Sequence, residues 1–237
     1  MLIIHPDQWY YMKNRYFVLF SILFITSIGT SKAQSVDSIL GMGQNMLQKE
    51  RIFSVKGIGM AFPIGGVSDV LRPRFSSSIG LQILAKNRKN FLYPSLDYLN
   101  YKYDQINLDS DYDYKTKNAN ATFYMGSIAY GYMKSIKKFR IFGSAGIGGG
   151  IVNEPRSRID VEAGEVNYRN KSSFSGIIKL NTGLDYGARR FKFFAELSYM
   201  QNTKKIQGHN LQTIAVNIGT KTNLFRLAKS IDDIRKK

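Results

Sequence analysis

Apolar and polar residues alternate along much of the chain, most clearly between residues 174 and 200. In this stretch Ile178 and Leu180 fall on one side of the alternation, and Lys179 falls on the other. Successive side chains of a β-strand point to opposite faces of the sheet, so a period of two predicts strands. The basic segment 187–190 interrupts the pattern, which therefore predicts two strands of about ten residues each, joined by a tight turn.

The same alternation predicts eight strands in the whole chain. We expect them at residues 53–62, 75–84, 91–103, 119–133, 139–152, 174–186, 191–200 and 211–222. Short connections (85–90, 134–138 and 187–190) alternate with longer ones (63–74, 104–118, 153–173 and 201–210). An even number of strands closes a sheet without an unpaired edge, which lipid does not tolerate. The pattern therefore predicts an all-β fold, an eight-stranded antiparallel transmembrane β-barrel built as an up-and-down meander.

The N-terminal segment has the pattern of a secretory signal peptide. A basic stretch precedes an apolar run at 16–28, and Ser31 and Ala33 supply the small residues of a cleavage site. The run is shorter than the ~20 residues of a membrane-spanning helix, so we expect cleavage after Ala33 and a true start at Met12. Four segments follow: a signal peptide at 1–33, an N-terminal lead-in at 34–52 that is helical or extended, the barrel at 53–225, and a basic C-terminal tail at 226–237.

Composition narrows the choice of compartment and partner. The chain has no cysteine, which excludes disulfides and thiolate metal sites. Its formal net charge is +17, which suits nucleic acid, anionic lipid or a periplasmic surface. We exclude nucleic acid, because a secreted membrane barrel rarely meets any. Fifteen tyrosines are typical of strands that end at a membrane interface.

The polar faces of the predicted strands carry charged residues of both signs. An eight-stranded barrel has an interior just wide enough for its own side chains, so we expect these residues to fill the lumen and to pair there. The predicted lumen charge network consists of Lys56, Asp97, Arg140, Lys179, Asp185 and Glu196. Lys179 and Glu196 lie near the middle of adjacent strands, and we expect these groups to pair across strands or through trapped water. In the third and fourth strands tyrosines fall on both sides of the alternation, so the sequence does not decide which side faces the lumen.

Basic residues concentrate in the short connections, whereas most acidic residues fall in the long ones. The basic turns hold Lys86, Arg88, Lys89, Lys137, Lys138, Arg189 and Arg190, without a carboxylate. Short turns of such barrels face the periplasm, where this charge would contact phosphates of the inner leaflet. The alternative is an ordinary set of solvated turns.

Two segments resemble a cofactor site or a metal site, but one lacks the required spacing and the other lacks the required residue types. The glycine-rich segment 143–150 lacks the spacing of a dinucleotide site. The acidic segment 109–113 resembles the start of a calcium loop, but Tyr114 and Asn120 stand where glycine and glutamate are needed. We therefore predict no cofactor and no metal.

A catalytic site is the remaining alternative to a binding role. Some small barrels hydrolyse or transfer lipid A acyl chains and need a histidine beside a serine. His209, Ser198 and Glu196 are the candidates here. Because Ser198 and Glu196 share an inward face, whereas lipid chemistry needs a lipid-facing or rim site, we predict that the protein is not an enzyme.

Residues 53–222 resemble the small outer-membrane barrels of the OmpX/OmpA-like and PorT-like kind. The leader ending in Lys32, Ala33 and Gln34 is similar to leaders of Bacteroidota. The chain departs from the family where Phe225 is followed by a polar tail, because family barrels commonly end at an aromatic residue that the insertion machinery recognises.

The resemblance implies an integral protein of the outer membrane. We expect a monomer with a structural, adhesive or binding role through its extracellular loops. Its partners would be outer-membrane lipids, lipopolysaccharide and envelope or periplasmic proteins. A component of an outer-membrane secretion or assembly machine is the first alternative, as the PorT-like resemblance implies, and a lipid A-modifying enzyme is the second.

Overall fold

A computed structural model describes residues 51–108, 114–160, 165–187 and 191–225, with the side chains of 158–160 and 165–168 excepted. The strands are β1 Ile52–Ile64, β2 Leu71–Arg72, β3 Arg74–Leu84, β4 Asn90–Tyr103, β5 Ala119–Ile136, β6 Phe139–Asp160, β7 Glu165–Gly187, β8 Phe191–Ile206 and β9 His209–Asn223. A 3-10 turn at Gly65–Asp69 precedes β2. Within these described ranges no helix is long and apolar enough to cross a membrane.

Eight of these strands form a closed antiparallel barrel. Each of β1 and β3 to β9 pairs with its neighbours in chain order, and β9 pairs with β1 to close the ring. The two-residue strand β2 adds to the end of β4, where Leu71 pairs with Tyr103, and is not part of the ring. The predicted eight-stranded up-and-down meander is therefore confirmed.

The barrel has a short-turn end and a long-loop end. The short-turn end carries the connections at 85–89, 137–138 and 188–190, and the long-loop end carries those at 65–73, 104–118, 161–164 and 207–208. Two connections at the long-loop end are shorter than predicted. The segment 153–173 continues the ladder of β6 and β7 as far as the Asp160–Glu165 pair. The connection between β8 and β9 consists of Gln207 and Gly208 alone, whereas the sequence predicts a loop at 201–210.

The physical reason for both corrections is local. Residues 153–173 contain Pro155 and many polar side chains, so they lack an apolar alternation. The backbone hydrogen bonds between β6 and β7, once formed in the alternating part of these strands, continue into this segment although its side chains do not alternate. Gln207 and Gly208 have φ angles of 50° and 86°. Two successive positive φ angles are typical of the type I′ turn, which joins strands in only two residues.

Glycines inside the barrel make room for aromatic rings. A Cβ atom at Gly131 would lie 2.3 Å from Cζ of Phe91, and one at Gly183 would lie 2.6 Å from Cζ of Phe142. Side chains at these two positions would therefore displace rings that fill the interior near the short-turn end.

Several predictions fall outside the described residues. These are the signal peptide at 1–33, the lead-in as far as residue 50, the acidic segment 109–113, the turn residues Arg189 and Arg190, and the tail at 226–237. They stay predictions.

Candidate functional site

The interior of the barrel is filled by two apolar clusters and by buried polar and charged side chains. An apolar cluster near the short-turn end comprises Phe53, Val55, Leu84, Phe91, Tyr93, Ala129, Met133, Phe142 and Phe194. A second apolar cluster near the long-loop end includes Leu99, Tyr101, Tyr103, Phe123, Met125, Val152 and Met200. Buried polar and charged side chains lie in and between these clusters, and we call them the lumen charge layer. It is built on Asp97, Lys179, Asp185, Glu196 and Lys221.

Lys179 on β7 and Asp97 on β4 form an ion pair across the lumen. The distance between Lys179 Nζ and Asp97 Oδ2 is 2.7 Å, and both residues are buried. The ammonium group also donates to Ser95 Oγ at 3.1 Å, and this hydroxyl lies 2.9 Å from Ser127 Oγ. The pair therefore ties together three strands, β4, β5 and β7.

Asp185 on β7 is a hub for two cations. Its Oδ2 accepts from Arg140 Nη2 at 3.0 Å, and its Oδ1 lies 2.8 Å from Lys221 Nζ. Arg140 is the cross-strand neighbour of Asp185, whereas Lys221 reaches it from β9. The Lys221 ammonium also lies 3.9 Å from the centre of the Phe142 ring. Both the carboxylate and the ring thus compensate the burial of Lys221.

Glu196 differs from the prediction in its partner. Its carboxylate accepts from Ser198 Oγ at 3.1 Å, and its Oε2 has no hydrogen-bond partner among the described residues. The register pairs Glu196 with Gly183, four residues from Lys179 along β7. Among the described residues no ion pair joins Lys179 to Glu196, because Asp97 reaches the ammonium group from across the lumen.

Lys56 does not belong to the lumen charge layer. Its side chain is exposed on the outer face of β1, on the same side as Ile58 and Met60, whereas Val55 next to it is buried. The predicted inward position of Lys56 is therefore wrong. The residue lies four positions from the start of β1, close enough to the short-turn end for a long side chain to extend to it, and an outward lysine costs little there.

Two elements of the interior were not predicted. Lys221 shares the inward side of β9 with Thr213 and Asn217, and counting by two from those residues would have found it. The second is the buried pair of Arg156 Nη2 and Glu154 Oε2, which lie 2.8 Å apart toward the long-loop end. It was missed because its segment has no apolar alternation.

The basic turns are exposed at the short-turn end. Their described members Lys86, Arg88, Lys89, Lys137 and Lys138 are all exposed. Asn87 shapes the first of these turns, because its Oδ1 accepts from the backbone N–H groups of Lys89 and Asn90 at 3.0 Å each.

The catalytic candidates do not meet. His209 pairs with Ile206, eight residues from Ser198 along β8. Eight residues of extended strand span roughly 26 Å, which is far beyond the reach of a hydrogen bond. The Ser198 hydroxyl instead donates to Glu196 in the interior. Within the described ranges no three histidine, cysteine, aspartate or glutamate side chains come together in a way that could hold a metal ion.

Comparisons with solved structures return small barrels. Neisserial surface protein A is 15% identical, with a TM-score of 0.49 over 73% of this chain and 96% of that one. The attachment invasion locus protein Ail of Yersinia pestis is 14% identical, with a TM-score of 0.36 over 72% and 99%. The N-terminal β-barrel domain of Pseudomonas aeruginosa OprF is 13% identical, with a TM-score of 0.37 over 72% and 97%.

No protein-family model matches the sequence, and no curated protein matches it either. Similarity at this level does not establish a shared activity. The predicted PorT-like relationship and the predicted origin in Bacteroidota stay predictions.

The filled lumen predicts that the protein forms no stable open channel. Two apolar clusters and the buried ion pairs of Lys179 with Asp97 and of Lys221 with Asp185 occupy the interior together. Ions therefore lack a continuous hydrated path. Planar-bilayer recordings of the purified protein are expected to show no steady conductance above that of a protein-free bilayer. Regular porin-like steps would contradict the filled interior.

Proposed function

We propose that the chain is an integral outer-membrane barrel protein with a non-catalytic structural, adhesive or binding role. One observation carries this proposal: the outer wall of the barrel is an exposed apolar belt. The belt includes Ile58, Ile79, Leu96, Ile128, Ile147, Phe174, Ile178, Leu180, Leu184, Leu197 and Ile218. Phe174 is 75% exposed, Ile147 72% and Leu96 69%.

An apolar surface of this extent is unfavourable in contact with water. Soluble monomers rarely expose a contiguous apolar patch larger than a few hundred Å², whereas this belt continues around neighbouring strands. Ile58, Ile218, Ala195 and Leu184 are successive partners in one hydrogen-bonded row. Along the belt the outward side chains are apolar, whereas charged side chains such as Lys179 and Glu196 on the same strands point inward, the arrangement that a barrel in lipid needs.

Aromatic residues mark both edges of the belt. Phe139 and Tyr186 are in contact near the short-turn end, with ring centres 5.0 Å apart. Tyr98 and Tyr124 are in contact toward the long-loop end, at 5.4 Å. On β7 twelve residues separate Phe174 from Tyr186. That is about 40 Å of strand, or about 30 Å across the membrane at a tilt of ~40°, near the ~25 Å expected.

The asymmetry of the two ends supports an orientation. We infer that the short-turn end faces the periplasm, where its basic turns would contact phosphates of the inner leaflet. The long-loop end, with the extended β6–β7 hairpin, would face outward and carry the binding or adhesive role. The carboxylate-free surface of the described basic turns also favours a second candidate, a component of an envelope assembly machine. Crosslinking in intact cells, followed by mass spectrometry, separates the two by the partner recovered.

Extraction tests the location. The protein is expected to stay in the outer-membrane fraction after washing with high salt and with alkaline carbonate, because the belt is held by lipid rather than by charge. A peripheral protein would be released by either wash. Release of most of the chain by carbonate would contradict the proposal.

Single cysteines test the orientation, since the chain has none of its own. Leu108→Cys at the long-loop end and Ser135→Cys at the short-turn end are matched probes, because both residues are exposed. A membrane-impermeant thiol reagent added to whole cells should label the first and not the second, and lysis should make both reactive. Labelling of the Ser135→Cys variant alone would mean that the short-turn end faces outward.

A further inference from the structure

The outer wall of the barrel contains a hollow within the apolar belt, and we call it the wall hollow. It has a volume of about 600 Å³ and reaches from Ser54 on β1 to Gly148 on β6. This volume is typical of sites that bind small molecules, which measure ~300–1,000 Å³. The apolar lining includes Ile79, Leu81, Pro94, Leu96, Ile128 and Ile147.

The wall hollow is deep at Gly126, which lies on the outward side of β5 between the exposed residues Tyr124 and Ile128. A Cβ atom at Gly126 would make only ordinary contacts, the nearest at 3.4 Å from Leu96 Cδ2. Crowding therefore does not require glycine at this position. Its effect is to lower the wall by one side chain, so that the backbone of β5 forms the floor of the hollow.

Lys56 lies at the edge of the wall hollow on β1. Its pairing partner on β3 is Ile79, which lines the hollow, and Ser54, two residues before it, lines the hollow as well. On the other side Lys56 pairs with Thr220 of β9. Because the alternate residues Val55 and Lys221 are buried in the lumen, Ser54, Lys56 and Thr220 share the outward side. An ammonium group and two hydroxyls thus stand next to an apolar hollow.

The charge of Lys56 is not compensated by the part of the chain that the structure describes. Lys179 and Lys221 each form an ion pair with a carboxylate, whereas no described carboxylate lies within ion-pair distance of Lys56. A cation on a lipid-facing wall is unfavourable unless an anion or water compensates it. At the surface of a bilayer the anion within reach of a long lysine side chain is a lipid phosphate.

We propose that Lys56 and the wall hollow bind one diacyl phospholipid of the periplasmic leaflet, with the phosphate on Lys56 and one acyl chain in the hollow. The proposal rests on the membrane location and the orientation given above, which put the first residues of β1 on the periplasmic side. A single cation at the edge of one apolar hollow matches a molecule that carries one phosphate at the end of its chains.

The two parts of the site do different work. Lys56 donates to the phosphate, and the hydroxyls of Ser54 and Thr220 are placed to donate to phosphate or ester oxygens. The acyl chain packs against the glycine floor at Gly126, where it gains contacts on three sides that the rest of the convex wall does not offer. One phospholipid is therefore held in a fixed place, whereas the lipids along the remaining belt exchange freely.

Native mass spectrometry of the full chain in mild detergent tests the site, with phosphatidylglycerol as the probe. One bound molecule per chain is expected. Lys56→Gln removes one lysine–phosphate contact and should weaken binding about fivefold. Gly126→Leu fills the hollow and should weaken it at least as much. Lys134→Gln and Gly143→Leu are the matched controls, because this exposed lysine and this outward glycine do not line the hollow. Both should bind within about twofold of the wild type.

Three results would overturn the inference. Equal losses in the site variants and in their controls would mean that charge and belt bind lipid without a defined site. Diacylglycerol with the same chains binding as tightly as phosphatidylglycerol would mean that Lys56 does not recognise phosphate. Tighter binding of lipid A would assign the hollow to the outer leaflet. If the wild type binds no phospholipid but still resists carbonate, only this inference fails and the membrane location stands.

Discussion

Replacing Asp185 with asparagine is expected to lower the free energy of unfolding by about 3–5 kcal/mol. The reason is that Asp185 is the only carboxylate that the described structure places within ion-pair distance of Arg140 and of Lys221. Its removal leaves the buried Lys221 and the partly buried Arg140 without that counter-charge, and breaking a buried pair has a cost of this size. Chemical denaturation in lipid vesicles, followed by circular dichroism, gives the change.

Asp104→Asn is the matched control for this variant. Asp104 also forms an ion pair, with Arg72 at 3.2 Å, but the arginine side chain is 64% exposed. Exposed pairs contribute about 0–1 kcal/mol, so this substitution should shift the unfolding midpoint only slightly. Equal shifts for the two variants would contradict the central position of Asp185 in the lumen.

The second large effect is expected from the pair of Asp97 and Lys179. Asp97→Leu leaves a fully buried ammonium group with the Ser95 hydroxyl and the Tyr93 ring but without its ion-pair partner, and should destabilise the barrel by about 3–5 kcal/mol. Lys179→Met leaves the carboxylate buried and should have a similar cost. The double variant replaces the pair with apolar groups, so it should recover most of the loss.

A double-mutant cycle therefore measures the coupling, which we expect to exceed about 2 kcal/mol. Glu196→Leu is the comparison within the same lumen. It removes a carboxylate but no ion-pair partner of Lys179, because that lysine keeps Asp97. Its effect should stay below about 2 kcal/mol. Additive single effects of Asp97 and Lys179, or a larger loss from Glu196→Leu, would contradict the observed pairing.

In the apolar belt, alternation predicted the strands correctly, because an apolar outer wall and a crowded lumen impose a period of two. Ile178 and Lys179 show this directly, one exposed and the next fully buried. Beyond the belt that constraint disappears. The segment around Pro155 therefore carried no signal for the extension of β6 and β7.

Alternation alone did not predict the position and partner of every charged side chain, because the place of a residue along its strand also matters. Lys56 tolerates an outward position because it lies near a strand end. Counting every second residue along the strand does not include this effect. Partners inside the lumen depend on the stagger between strands and on contacts across the interior. Asp97 and Lys179 lie on strands that are not adjacent, so no local pattern identifies them as a pair.

The most direct measurement of the central claim is the environment of spin labels on the outer wall. Ile147→Cys and Ile218→Cys place labels on the belt, and Leu108→Cys places one at the long-loop end. In vesicles, the two belt labels should collide readily with oxygen dissolved in lipid and rarely with a water-soluble nickel chelate. The label at Leu108 should show the reverse. Belt labels that are accessible to the chelate would contradict a barrel embedded in the membrane.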